Sequence, residues 1–230
     1  QLVIDCSASM YYPEQKSLEK GALNKIQFSV NSAAALIYML KRQRDAFGIS
    51  LFSEQVQVHT GTKSTTTHQK LVFYELERLL MNEPQQLQFP KTATAKALHE
   101  IAENIHKRSL VIIFSDMVDN VGSQEELFAA LQHLKYNKHE VILFHVTDKQ
   151  KELDFQFENR PYLFVDMETQ EQVKVNYNDV KQHYIEGINK YQQALVLRCG
   201  QYGIDLVEAD IRQGYKQILL PYLIKRQRMK

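Results

Sequence analysis

Apolar residues along this chain follow two different periods. Residues 2–5 form a short apolar run that ends in a carboxylate, the pattern of a strand buried on both faces of a parallel sheet. Residues 110–114 repeat that pattern and close on Ser115-Asp116. Runs at 47–52, 141–146 and 204–207 predict further strands, and 56–59 alternates apolar and polar as a half-exposed edge strand does. Between these runs the period lengthens. Ile26, Val30, Ala33, Ala34, Ile37 and Leu40 recur at three-and-four spacing, which predicts a helix over 24–44 with Asn24 as its cap. Shorter helices are expected over 68–81 and 94–106, with Pro84 and Pro90 punctuating the gap between them. Ser123, followed three residues later by Glu126, reads as a capping box that opens another helix. A long helix is expected over 179–199, and a last one from Tyr215. Residues 162–165 and 172–175 read as a hairpin turning at Glu168-Thr169.

Strands thus alternate with helices almost throughout. That order predicts an α/β fold: a doubly wound, mostly parallel six-stranded sheet with helices on both faces and an added β-hairpin near 162–175. No internal repeat or low-complexity linker divides the chain, so residues 1–230 read as a single domain. The first residues are already strand-like, and an N-terminal region of a longer protein is expected to precede them.

Composition narrows the partners. A net charge of +1 gives no reason to expect a nucleic-acid surface. The basic cluster Lys225, Arg226, Arg228 and Lys230 reads as cations complementing the dipole of a terminal helix. Two cysteines, Cys6 and Cys199, make no disulfide framework and read as small buried hydrophobes. No apolar run reaches the ~18 residues of a membrane span, and no signal peptide is visible, so a cytoplasmic location is expected.

The chemistry concentrates where strands end. Asp5-Cys6-Ser7-Ala8-Ser9 begins as the first strand stops, and alternate residues of an extended turn converge on one side. Thr92 and Thr94 stand just before a helix, and Asp116 ends the second buried strand. If those two strands are neighbours, their carboxylates flank the crevice in which open α/β sheets bind ligands. Two carboxylates with two or three hydroxyls form an all-oxygen site that suits magnesium or manganese.

This arrangement resembles the metal-ion-dependent adhesion site of von Willebrand factor A domains. The family motif, Asp-x-Ser-x-Ser, then a distant Thr, then a distant Asp, maps onto Asp5, Ser7, Ser9, Thr92 and Asp116. Two positions depart from it: Phe89-Pro90-Lys91 stand where the family usually has glycines before the Thr, and Met117 where it commonly has Gly after the last Asp. Those departures predict differently shaped loops. Blocks in order along the chain, among them residues 5–10, 45–52, 111–116, 139–148, 151–155, 164–169 and 220–223, resemble the bacterial domain-of-unknown-function family fifty-eight. The resemblance implies a von Willebrand factor A-like domain. It also implies a protein partner, either a MoxR-type AAA+ ATPase or a protein of the same operon, bound through an acidic side chain that reaches the metal. Tyr11 and Tyr12 follow the motif directly and are candidates for the rim of the partner surface, or for packing on the sheet top.

An enzyme is the rival class: a magnesium-dependent phosphatase or phosphotransferase using Asp5. That pattern wants Asp-x-Asp, and position 7 is Ser. Neither a phosphate-binding Gly-x-x-x-x-Gly-Lys loop nor a Gly-x-Ser-x-Gly elbow occurs. A metal-free interaction domain that keeps the motif as scaffold is the third reading. The expectation is therefore a binding module without catalysis, nucleic acid or small-molecule substrate. His99, Glu100, Glu103 and His106 share a helix without a zinc-protease pattern, and read as a solvated face.

Overall fold

The computed structural model describes residues 1–14, 21–81, 93–117, 124–167 and 170–228. Six strands, β1 (Leu2–Asp5), β2 (Ile49–Phe52), β3 (Val56–His59), β4 (Leu110–Ser115), β5 (Glu140–Thr147) and β8 (Asp205–Asp210), form one sheet in the order β3-β2-β1-β4-β5-β8. All neighbours are parallel except β3, which runs antiparallel to β2 at the edge. The helices are α1 (Lys25–Arg42), α2 (Thr66–Met81), α3 (Ala93–Asn104), α4 (Gln124–Tyr136), α5 (Tyr177–Tyr202) and α6 (Tyr215–Arg228).

The strand alternation builds two cores. Leu2, Ile4, Ile112, Phe114, Ile142 and Phe144 pack with α1, α2 and α6 on one face. Val3, Val111, Ile113, Val141 and Leu143 pack with α3, α4 and α5 on the other. Register follows from that two-sided burial. Ile4 opposes Phe114, so Asp5 and Ser115 come next on neighbouring strands. A slip of one residue would exchange the faces of every side chain in the strand.

Local chemistry sets the element ends. Asn24 accepts from the Gln27 backbone N–H at 2.9 Å while the Gln27 side chain accepts from the Asn24 N–H at 3.1 Å, a complete capping box for α1. Gly203 ends α5 in the left-handed conformation, φ 66°. The strand expected over 47–52 starts only at Ile49, because Phe47 forms a separate antiparallel bridge with Lys63. The expected 204–207 strand extends to Asp210, since β8 pairs with β5 along its full length. Ser123, the expected cap of α4, lies outside the described residues, as do the hairpin turn Glu168-Thr169, Lys230 and the side chains of Lys225, Arg226 and Arg228.

The hairpin forms its own two-stranded sheet from β6 (Pro161–Val165) and β7 (Gln172–Asn176). Phe155 anchors it, stacking on Phe164 and Tyr177 and meeting Tyr184 at 4.5 Å between ring centroids. Cys6 and Cys199 are free and buried. His99 departs from the expected solvated face: its Nδ1 lies 2.9 Å from Nδ1 of His133 on α4, whereas Glu100, Glu103 and His106 are exposed. Among the described residues no helix is long and apolar enough to cross a membrane.

Gly48, just before β2, allows the close approach of the β3 end. A Cβ there would meet the Thr60 carbonyl oxygen at 2.7 Å and that of Gly61 at 3.1 Å, both backbone atoms. Gly48→Ala is therefore expected to destabilise the protein by about 1–3 kcal/mol, read as a lower urea midpoint at unchanged slope.

Candidate functional site

In the strand order, β1 connects through α1 to β2 on one side, while β4 lies on its other side. The carboxyl ends of β1 and β4 therefore frame the point at which the order reverses, where a crevice opens in sheets of this type. Asp5 ends β1 and Asp116 follows β4. Both are buried, at 3% and 1% exposure.

Asp5 is held on both oxygens. The Ser7 backbone N–H donates to Oδ1 at 3.0 Å, and the Ser115 hydroxyl donates to Oδ2 at 2.6 Å. Burial pushes the Asp5 carboxyl up to about 6, the neighbouring Asp116 charge pushes the same way, and the bonds from Ser115 and Ser7 oppose them. After Ser7 the chain enters a single 3-10 turn at Ala8–Tyr11, which brings the Ser7 and Ser9 hydroxyl oxygens to 3.1 Å. Asp5, Ser7, Ser9 and Asp116 thus gather at one end of the sheet. Thr92 lies outside the described residues, and Thr94 stands in the first turn of α3.

Asp116 has a partner that the sequence did not announce. Lys25, the first residue of α1, is 1% exposed. Its ammonium lies 2.7 Å from Asp116 Oδ2 and 2.6 Å from Glu152 Oε1. Burial works against that charge, but the two carboxylates outweigh it and hold the ammonium above the ordinary lysine range. Glu152 sits in a π-helical turn, Lys149–Leu153, and its other oxygen accepts the Asp148 backbone N–H at 2.6 Å. Asp148 in turn takes a fork from Arg212, at 2.7 and 2.9 Å. A chain of charges therefore runs from the sheet end through α1 and the π turn to the segment before α6.

Tyr11 and Tyr12 are half-buried. The Tyr11 hydroxyl reaches the Leu79 carbonyl of α2 at 3.5 Å, and Lys25 lies 5.9 Å from the Tyr12 ring centroid. Met117 bears on the expected loop shapes. Its φ is 50°, in the left-handed region that favours the Gly of the family pattern, so the backbone keeps a glycine-like conformation here with a side chain in place. Its N–H donates to the Ser115 hydroxyl oxygen at 2.9 Å, its carbonyl accepts the Tyr191 hydroxyl, and its side chain is buried.

The residues present fit a hard divalent cation. The hydroxyl separation of 3.1 Å is close to the edge of an octahedron with ~2.1 Å bonds, about 3 Å. Three carboxyl groups, Asp5, Asp116 and Glu152, stand against the one ammonium of Lys25. Among the described residues no group of three or more His, Cys, Asp or Glu is placed to hold a metal.

Known proteins share this architecture. The family model described as "Protein of unknown function DUF58" matches residues 1–194. No curated protein matches the chain. An aerotolerance-related membrane protein from Bacteroides fragilis NCTC 9343 has the same fold at a TM-score of 0.55 and 13% identity, covering 95% of each chain. The conserved hypothetical protein BatB from Bacteroides thetaiotaomicron is 12% identical at a TM-score of 0.47, covering 88% of this chain and 97% of its own.

Lys25 is the residue whose removal should be felt most. Lys25→Met leaves Asp116 and Glu152 without their shared cation and is expected to cost about 3–5 kcal/mol in urea unfolding. Adding Asp116→Asn should recover part of that loss, so that the double variant is more stable than the sum of the two single changes predicts.

Proposed function

The chain belongs to the DUF58 family, and from that premise we propose that it is a protein-interaction module working through a divalent metal. The observation that carries the reading is the gathering of Asp5, Ser7, Ser9 and Asp116 at the switch point of the sheet. These residues, with Thr92 from the segment before α3, would hold magnesium or manganese, which supplies an open coordination position for a hard anionic oxygen. An acidic side chain on a protruding loop of a protein partner brings that oxygen. The resemblance to a family found beside MoxR-type AAA+ ATPases makes such an ATPase the leading partner, with another protein of the same operon as the alternative.

The chain's own residues prepare the site. Ser115 and the Ser7 N–H fix the Asp5 carboxylate, and Lys25 fixes Asp116. Carboxylates held in this way do not have to reorganise when a partner arrives. Tyr11 and Tyr12 stand beside the motif and pack around the stem of the incoming acid. Among the described residues Asp5 is hydrogen-bonded by two serines, which orient its carboxylate.

One observation favours a second reading. The Lys25 ammonium already offsets part of the negative charge at Asp116, as a metal-free interaction domain would require. Calorimetry and a binding assay separate the two. Wild type is expected to take up magnesium and Asp5→Ala to take up none. Binding to the MoxR-type ATPase should fall at least tenfold in EDTA and in Ser9→Ala, with circular dichroism unchanged. Equal metal uptake by Asp5→Ala, or partner binding indifferent to both EDTA and Ser9→Ala, would establish the metal-free reading.

Catalysis has its own test. No turnover of phosphoesters, peptides or nucleotides is expected with magnesium present; turnover that disappears in Asp5→Asn would make the protein an enzyme.

A further inference from the structure

On the β5 side of Asp116 lies a cavity of about 200 Å³, enclosed by the end of β5, the Lys149–Leu153 turn and one face of α5. His145 and Thr147 of β5 line it, two residues apart and so on one face of the strand. Tyr184, Gly187, Ile188 and Tyr191 face it from α5 at helical spacing. Leu153 adds an apolar wall, and Asp116 and Glu152 an acidic one.

The two side chains from β5 are buried, and each keeps one polar atom without a partner among the described residues. His145 is 5% exposed and Thr147 is 6% exposed. Nε2 of His145 lies 3.0 Å from the Asp116 backbone carbonyl; a carbonyl only accepts, so Nε2 carries the proton. In the neutral ring Nδ1 is then an acceptor. Among the described residues neither Nδ1 nor the Thr147 hydroxyl has a hydrogen-bond partner. Both atoms are open to the cavity, where they meet water in the free protein and can meet the polar group of a ligand instead.

The lining also says what kind of group that is. The Tyr184 hydroxyl spends its proton on the Glu152 carbonyl at 2.8 Å, and that of Tyr191 on the Met117 carbonyl. The Tyr184 oxygen can still accept. The Lys25 ammonium is held between Asp116 and Glu152 and serves no incoming anion. The cavity therefore offers acceptors and negative charge, with Thr147 and Gln124 alone able both to donate and to accept. An anion would meet repulsion there. A cation rich in N–H groups meets acceptors, carboxylates and aromatic faces together.

We propose that this cavity binds a protonated amine or guanidinium group on a short apolar stem. The group comes either from a Lys or Arg side chain of a partner protein or from a free small amine. At ~30 Å³ for each water, the volume holds about six waters, the scale of a propylammonium ion. Gly187 borders the space from α5, and a Cβ built there meets nothing within 4 Å, so a larger side chain has room to enter. His145 and Thr147 lie outside the oxygen set assigned to the metal, while Asp116 lines the cavity and belongs to that set as well.

The test titrates the whole chain with propylammonium and methylguanidinium, with propionate and propanol as controls, following amide shifts around Thr147 and Tyr191. Each titration is run in EDTA and again in magnesium, so failure of the metal reading and failure of this one are distinguishable. Saturable binding of the two cations is expected, with none for propionate. Thr147→Val, which breaks no bond within the protein, should weaken it about tenfold. Gly187→Leu, which places a side chain in open space at the cavity mouth and improves helix propensity, should abolish it with circular dichroism unchanged. A blocked short peptide carrying Lys or Arg forms the second arm. Tighter binding of the peptide than of propylammonium assigns the site to a partner side chain, and weaker binding assigns it to a free amine. Absence of saturable binding by either cation and by the peptide, equal binding of propionate, or binding unaltered in both variants overturns the proposal.

Discussion

The end of this sheet depends on one buried cation. An ammonium almost wholly removed from water is unfavourable unless carboxylates meet it directly, and Lys25 is met by two. Those contacts tie together elements far apart in the chain: the end of β4, the start of α1 and the π-helical turn after β5. They also account for three carboxylates, Asp5, Asp116 and Glu152, in so little space. Burial and the Asp116 charge push the Glu152 carboxyl up, and Lys25 opposes that shift.

The same cation marks how far the sequence is legible. The sheet is legible because period two is imposed by geometry: Leu2 and Ile4 must face one way and Val3 the other. Asp5 and Asp116 are legible because a carboxylate that closes an apolar run stands at the carboxyl end of a buried strand, the end at which such sheets bind ligands. Lys25 is not. It follows a capping Asn at a helix start, where a lysine is ordinarily solvated, and only the return of Glu152 from over a hundred residues away encloses it. Glu152 itself sits in a π-helical turn that no simple periodicity announces. His145 and Thr147 are hidden differently. They end an apolar strand, and their surroundings depend on a face of α5 whose side chains look surface-like in sequence.

Loop chemistry shows the same division. Phe89-Pro90-Lys91 and Met117 depart from a glycine-bearing pattern, and sequence alone suggests altered loops. At Met117 the backbone instead adopts the left-handed conformation with a side chain present. The Ser115 hydroxyl, the Tyr191 hydroxyl and burial of the methionine hold it there. Backbone shape at this turn is therefore a tertiary property, carried by α5 as much as by local residue choice. The polar and aromatic groups around the carboxyl ends of β1, β4 and β5 form one connected patch, because Asp116 belongs to the oxygen set, to the lysine pair and, through its carbonyl, to His145.

The pairing of Ile4 with Phe114 acts as a ruler. The ladder fixes how far apart β1 and β4 run, and Asp5 and Asp116 stand at the ends of these strands. Substitution at the rim, at Tyr11 and Tyr12, can therefore change what is recognised while the strands stay in place. A lineage that keeps this alignment can try many partners without refolding. Anyone grafting a new recognition loop onto the scaffold inherits the same freedom, so long as the strand is left alone.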